Sequence, residues 1–471
     1  METVFLSQLE SATHGELAGV DVEEQAVSRV SIDSRDILPG DVFWALKGER
    51  HDGHRFASQA LDAGAAMCVV ERRQAQQIPG PRLIVENTLR ALADFALWYR
   101  QQRESLVIGV TGSVGKTTTR EMIHAVLLAE HLGAQSQLNF NNEIGLPLSL
   151  LNIKADDEFG VFEMGAARPG DIRELCEIAR PEVGVLTKIG LAHLQSFGSL
   201  ENIIQAKGEL LDALPAHGFA VLGGDDEHVR QLASRANCPT ILVGERSGNQ
   251  VRATDVETTE RTLRFVVDRK RYEVPVAGRH HLTAALCALA VAREIGMDAA
   301  AIAGGLRRFV GQPGRCRVEQ IGPWTVIDDT YNANPTSMQA ACECLANWPA
   351  RRRLLVVGDM LELGTSADQL HRELGDYAAR SQIHLLAAYG PQAGNIVYGA
   401  GGGGMNLCRL ADCSELETMF MVLDCWLEPE DVVLVKGSRD MRMERVVDWI
   451  RQRAFEKAKP TSARRMIRAV A

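Results

Sequence analysis

Short apolar runs alternate with stretches of helical spacing along most of the chain, and the alternation falls into three blocks. In the first, residues 1–105, Val42-Phe-Trp-Ala-Leu46 and Met67-Cys-Val-Val70 read as buried strands, and residues 57–63 and 89–103 carry apolar positions at helical spacing. Gln77-Ile-Pro-Gly-Pro81 is a turn. The second block, residues 106–313, opens on the buried-strand run Leu106-Val-Ile-Gly-Val110, and further strands are predicted at 159–162, 183–186 and 220–222. Strands separated by helices imply a mainly parallel sheet covered on both faces. Residues 263–267 and 272–276 predict an antiparallel hairpin, and 281–294 an alanine-rich helix. After a turn at Gly311-Gln-Pro-Gly314, the third block, residues 314–471, repeats the alternation with strands at 325–327, 354–357, 383–388 and 431–435. The run Gly399-Ala-Gly-Gly-Gly-Gly404 reads as a flexible loop. The fold class is therefore α/β in three blocks, and 471 residues exceed what one core organises, so two to four domains are expected.

Composition narrows the class. A net charge of −10 argues against nucleic acid as the main partner, because phosphate backbones select a basic face. The basic stretch from Lys457 to Arg468 is the exception and reads as a solvated terminus. The start of the chain lacks the charged and apolar regions of a secretion signal, and no apolar run reaches the length of a membrane span. Ten scattered cysteines without a CxxC pair fit reduced thiols in a cytoplasmic protein.

The strongest chemical signal follows Val110. In Thr111-Gly-Ser-Val-Gly-Lys-Thr-Thr118, the loop lies between a predicted strand and a predicted helix. Gly112 and Gly115 permit backbone angles that let successive N–H groups converge on phosphate oxygens. Thr111, Ser113, Val114 and Thr118 supply the remaining backbone of the cradle. Lys116 offers a charge to the outer phosphates and Thr117 a hydroxyl to Mg2+, while the helix start adds its positive end. The first glycine of the generic phosphate-loop pattern is replaced by Val110.

Ligands of a parallel sheet gather at the carboxyl ends of its strands. Glu163 ends one predicted strand, His193 follows another, and Lys207 stands in Gln205-Ala-Lys-Gly-Glu209. Singly, each has a structural alternative: a helix cap, a loop histidine, a surface lysine.

Together these runs resemble the Mur ligase family. The similarity extends to Ser31-Ile-Asp-Ser-Arg35, Asn139-Phe-Asn-Asn-Glu-Ile-Gly-Leu-Pro147, Glu163-Met-Gly165, Asp328-Asp-Thr-Tyr-Asn-Ala-Asn-Pro335, Gly358-Asp-Met-Leu-Glu-Leu-Gly364 and Val435-Lys-Gly-Ser-Arg439. The resemblance implies an N-terminal domain (1–105) that binds a UDP-linked substrate, a central ATP-binding phosphate-loop domain (106–313) and a C-terminal Rossmann-like domain (314–471). The last block is similar to the branch that joins D-alanyl-D-alanine to UDP-N-acetylmuramoyl-tripeptide, a cytoplasmic step of peptidoglycan precursor synthesis that serves cell-wall growth, shape and division. A monomer is expected. The Asp-Asn-Pro-Arg pattern of a sister ligase that accepts an amino acid is absent.

That resemblance assigns roles. Lys116 would stabilise the transferring phosphoryl group; Thr117 and Glu163 would hold one Mg2+. Lys207 would carry a CO2-derived carbamate supporting a second Mg2+, with His193 nearby. Asp329 would meet the ATP ribose and Arg315 its phosphates. Tyr331, Asn332, Asn334, Asn139 and Asn142 would line the substrate side, and Ser31, Asp33, Ser34 and Arg35 the uridine side. Two departures stand out. The family's His-Asn-x-x-Asn segment reads His280-His-Leu-Thr-Ala284, which leaves His281 to face adenine without either asparagine, and Lys188 replaces a common asparagine. A related ligase with another acceptor, of the folylpolyglutamate-synthase type for instance, and a nucleotide-binding protein without catalysis are the alternatives.

Overall fold

The computed structural model describes residues 1–20, 25–48, 51–137 and 139–458. All but the start of the basic C-terminal stretch therefore lies outside the described residues.

Three α/β domains follow one another. The N-terminal sheet has five strands in the order Glu16–Ala18, Arg82–Val85, Met67–Glu71, Val42–Trp44 and Val30–Ser31, parallel except for the first pair. Its helix Thr88–Gln101 starts where the Asn87 side chain accepts the Arg90 N–H at 2.8 Å. The apolar face of this helix, Phe95, Ala96 and Tyr99, belongs to one continuous core with Leu146, Leu150, Ile172 and Leu175 of the central domain. Tyr99 Oη donates to the Ile153 carbonyl at 2.7 Å, and Arg100 pairs with Glu182 at 2.9 Å. The N-terminal and central domains are thus joined through a shared apolar seam.

The central sheet is wholly parallel, with seven strands in the order Val251–Arg252, Thr240–Gly244, Phe219–Gly223, Val183–Leu186, Leu106–Thr111, Phe159–Glu163 and Gly133–Gln135. The strand Leu106–Thr111 lies between Phe159–Glu163 and Val183–Leu186, with Val110 opposite Glu163 and Thr111 opposite Leu186. That register lines up the carboxyl ends of three strands at the point where the strand order reverses, which is where such sheets hold ligands. Helices Lys116–Leu127 and Leu282–Ile295 pack together on one face. The expected hairpin is a three-stranded antiparallel sheet, Thr254–Thr258, Leu263–Val267 and Lys270–Val274.

The C-terminal sheet orders Arg317–Ile321, Trp324–Asp329, Val432–Lys436, Arg353–Gly358, Leu385–Tyr389 and Leu410–Cys413, parallel but for the first pair. One expectation is corrected here. The glycine-rich run 399–404 is not a loop: residues 399–402 complete the helix Ala393–Gly402. This helix packs against Ala367–Arg380 so closely that a Cβ on Gly399 would lie 2.0 Å from the Arg372 carbonyl oxygen. The absent side chain serves helix packing, and only Gly404, at φ +96°, shows the turn geometry expected of the run.

Candidate active site

The carboxyl ends of the central strands open into a cleft of about 1930 Å³ whose walls come from all three domains. The phosphate loop forms its floor. Gly112 and Gly115 adopt φ of +144° and +85°, and a Cβ on Gly112 would stand 2.1 Å from Thr187 Oγ1. Thr187 Oγ1 in turn donates to the Val114 carbonyl at 2.6 Å, and the Ser113 N–H donates to the Lys188 carbonyl at 2.7 Å. The segment after the strand Val183–Leu186 therefore braces the loop from one side. Gly115 precedes the first turn of Lys116–Leu127, so the helix's unpaired N–H groups and its positive end face the cleft.

Beside the loop is a compact charged cluster. Thr117 Oγ1 donates to Glu163 Oε2 at 2.7 Å, and Asn141 Nδ2 donates to Glu163 Oε1 at 2.7 Å. Burial opposes ionisation of Glu163, which is 2% exposed, but Lys116, Arg315 and these two hydrogen bonds outweigh it and hold the carboxyl below its usual range. Burial also pushes Lys116 down, against the pull of Glu163, and its Nζ donates to the Gly112 carbonyl at 2.9 Å. The oxygen donors of Thr117 and Glu163, already oriented by hydrogen bonds, suit a hard cation such as Mg2+.

Lys207 is 3% exposed on the helix Leu200–Asp212, with its Nζ 5.8 Å from the centre of the Phe197 ring. Among the described residues it forms no ion pair. Burial, with the repulsion of Lys116 added, lowers its pKa to about 7. An amine that is neutral in a substantial fraction of molecules near pH 7 can react with CO2, whereas an ordinary lysine is almost wholly protonated.

The C-terminal domain closes the cleft. Arg315 Nη2 donates to Thr117 Oγ1 at 2.9 Å, and its guanidinium lies 3.8 Å over the Tyr331 ring. His193, at φ +53°, pairs through Nδ1 with the Glu362 carboxylate, and the Gln195 N–H donates to the Glu362 carbonyl at 2.9 Å. Asp329 pairs with Lys436 at 2.6 Å, one residue being opposite the other in the sheet, and Lys436 also donates to the Asn332 carbonyl. This seam combines those polar contacts with a small apolar patch, in which Ala277 and Leu191 of the central domain pack against the C-terminal core.

Known proteins bear on this arrangement. The profile of the Mur ligase middle domain matches residues 110–292, that of the Mur ligase glutamate ligase domain 314–439, and that of the Mur ligase family catalytic domain 26–100. The UDP-N-acetylmuramoyl-tripeptide–D-alanyl-D-alanine ligase of Escherichia coli (strain K12) is 35% identical over 456 residues, which is 95% of this chain and 98% of that protein. The chain belongs to the Mur ligase family. The crystal structure of MurF from Acinetobacter baumannii superposes with a TM-score of 0.87 at 31% identity, covering 96% of this chain and 99% of that one. MurF ligase from Thermotoga maritima, solved in complex with ADP, superposes with a TM-score of 0.79 at 31% identity, over 92% of this chain and 99% of that one.

Within the Mur ligase architecture, the residues singled out from the sequence separate into two groups. Ser113 to Thr118, Glu163, His193, His281, Arg315, Asp329, Tyr331, Asn332, Asn334, Asn139 and Asn142 all line the cleft. Thr111, Gly112 and Lys207 lie behind its surface: Thr111 is buried at its strand end, its Oγ1 donating to the Met164 carbonyl at 2.7 Å. Two of the asparagines also have structural work, since Asn334 caps the helix Pro335–Ala346 and Asn142 accepts the Gly145 N–H at 2.9 Å. Ser31, Asp33, Ser34 and Arg35 are not on the cleft wall. They form a turn closed on itself, in which Asp33 accepts from the Arg35 backbone N–H and its guanidinium.

Sequence reasoning passed over Asn141, Glu362, Lys436 and Thr187. Asn141 lies within the quoted run 139–147, but nothing local distinguishes it from its two neighbouring asparagines as the partner of Glu163. Glu362 and Lys436 act through residues more than a hundred positions away.

Proposed function

We propose that this Mur ligase joins D-alanyl-D-alanine to UDP-N-acetylmuramoyl-tripeptide, with ATP converted to ADP and phosphate, in the synthesis of peptidoglycan precursors. Near-full-length similarity, at 35% identity, to a ligase of that name carries the reading, together with a cleft that gathers a phosphate loop and a buried carboxylate, with a lysine of lowered pKa behind its wall.

In this reaction a carboxylate oxygen of the tripeptide attacks the γ-phosphorus of ATP, and the bond to the bridging oxygen of ADP breaks. The acyl phosphate then meets the amine of the dipeptide: the C–N bond forms, phosphate leaves, and the amine loses its proton. A carboxylate is a poor acyl donor, and phosphorylation turns its oxygen into a leaving group. We assign Lys116 and Arg315 to the oxygens of the transferring group, where fixed positive charge in a partly dry cleft stabilises the transition state. Bound Mg2+ would supply further charge neutralisation on the phosphates. Thr117 and Glu163 would hold one ion, and a carbamate on Lys207 would convert a buried amine into an anionic donor for a second. His193, which pairs with Glu362, is assigned to the neighbourhood of that second ion. Asp329 is assigned to the ribose. His281 and Ala284 both line the cleft where adenine is expected; alanine offers no hydrogen bond, so recognition there falls to the backbone and to stacking on the His281 ring.

The test is phosphate release with substrates omitted singly. Release should need ATP, UDP-N-acetylmuramoyl-tripeptide and D-alanyl-D-alanine together. Full-rate release without the dipeptide would overturn the assignment of acceptor.

A further inference from the structure

We propose that His280, His281, Cys316 and Cys344 form a second kind of metal site, one for a soft divalent cation of the zinc class. It would lie on the cleft wall and use nitrogen and sulfur donors, unlike the oxygen donors Thr117 and Glu163.

Nitrogen and sulfur donors converge there. The ligand atoms of His280, His281 and Cys316 all lie within 4.8 Å of one another. Donors around one tetrahedral zinc stand about 3.3–3.8 Å apart, given bond lengths of about 2.0–2.3 Å. Side-chain rotations of about 1 Å at the ligand atoms would therefore close the set. Cys344 lies outside that set of three but beside it: its sulfur is 3.9 Å from that of Cys316, close to the separation of about 3.8 Å that two thiolates take across a single zinc, so it is the fourth donor if its side chain turns toward the histidines. The two imidazole rings have centroids 4.1 Å apart.

Backbone geometry keeps the space open. Gly278 has φ of +91°, and a Cβ there would fall 2.5 Å from His280 Cε1 and 3.2 Å from Cys344 Sγ. One small residue thus leaves room for a histidine and a cysteine to approach the same point. Asp329 Oδ1 accepts the Cys316 N–H at 3.1 Å, which fixes the backbone carrying that thiol.

The donor set decides which cation fits. Two imidazoles and two thiols favour zinc over magnesium, which prefers carboxylate, carbonyl and water oxygens. The nearby carboxylate of Asp329 is engaged with Lys436 and the Cys316 N–H. His281, Cys316 and Cys344 are 6%, 6% and 8% exposed, while His280 is exposed, so the site is dry on three sides and open on the fourth. His280, His281 and Cys316 nevertheless reach the cleft, which gives the ion an entry path. Binding would release the two thiol protons. It would also tie the start of the helix Leu282–Ile295 in the central domain to the helix Pro335–Ala346 in the C-terminal one.

Titration of the reduced full chain with Co2+ reads the site without reference to catalysis. We expect one ion per chain, with the strong visible bands of tetrahedral cobalt, a cobalt–thiolate charge-transfer band, and displacement of both by Zn2+. Cys316→Ser and Cys344→Ser should each raise the dissociation constant at least about tenfold. Cys342→Ser, on the same helix but outside the cluster, should leave it unchanged. Absence of a tetrahedral thiolate spectrum in the unaltered chain would overturn the proposal. So would wild-type affinity in either the Cys316 or the Cys344 variant.

Discussion

The guanidinium of Arg315 donates to the hydroxyl of Thr117 across 2.9 Å, joining the C-terminal domain to the phosphate loop of the central one. Its guanidinium carbon lies 3.8 Å from the centre of the Tyr331 ring, a cation–π contact that holds it over the cleft. With Lys116 and Glu163 beside it, the cluster has two positive charges and one negative before any nucleotide arrives, an arrangement that favours an anion.

Arg315→Ala should therefore lower kcat by about 10²–10³-fold, as loss of one transition-state donor does in other enzymes. Arg315→Lys should recover only part of this, because an ammonium neither stacks like a guanidinium nor offers a planar fork. Steady-state phosphate release with all three substrates measures both. Wild-type turnover in the alanine variant would remove Arg315 from the reaction.

Lys207 gives a pH prediction with a definite sign. Burial brings its folded pKa to about 7, against about 10.4 in an unfolded chain. Between those values the unfolded state binds more protons, so this group makes the protein more stable as pH rises through the window and less stable as pH falls toward 7. Lys207→Met should flatten that part of the stability–pH curve, read from denaturant unfolding at several pH values. The same titration governs carbamate formation, which needs the neutral amine. In CO2-depleted buffer, activity should fall below pH 7 and return with added bicarbonate. Lys207→Ala should lose most turnover and regain part of it with a short carboxylic acid; normal turnover would rule the carbamate out.

Glu163→Gln keeps the shape of the side chain and removes its charge. The hydrogen bond from Thr117 can persist, so a purely structural role would leave the metal requirement unaltered. If Glu163 holds Mg2+, the concentration giving half-maximal phosphate release should rise by at least about tenfold. An unchanged Mg2+ titration would assign the carboxylate to bracing the loop.

Local pattern carried much of this protein. The buried run ending at Val110 and the glycines after it were legible because strand burial and positive φ both leave marks on neighbouring residues. Glu163 and Thr187 reach the same place through sheet register, which no local window contains. Asn141 could not be told from Asn139 or Asn142, since all three are polar residues in one loop and only the fold chooses a partner for Glu163. The glycine-rich run 399–404 misled for a related reason. Glycine marks both a turn and a close helix contact, and the sequence of one helix does not show how near the other lies.

That last distinction can be tested with two substitutions. Gly375, in the helix Ala367–Arg380, faces Ala393–Gly402: an added Cβ would lie 1.9 Å from the Ile396 carbonyl oxygen and 2.7 Å from the Ala400 nitrogen. Neither neighbour is a side-chain end that can swing aside, so Gly375→Ala must push the helices apart. Overpacking of this kind costs about 1–3 kcal/mol, more than the ~1 kcal/mol that alanine returns through helix propensity. Gly402 has nothing within 4 Å of its added Cβ, so Gly402→Ala should be neutral or stabilising by up to about 1 kcal/mol. Thermal unfolding, with hydrogen exchange over residues 393–402 to localise the effect, should show a lower midpoint and faster exchange for Gly375→Ala alone. Equal behaviour of the two variants would mean that the glycines do not set the distance between these helices.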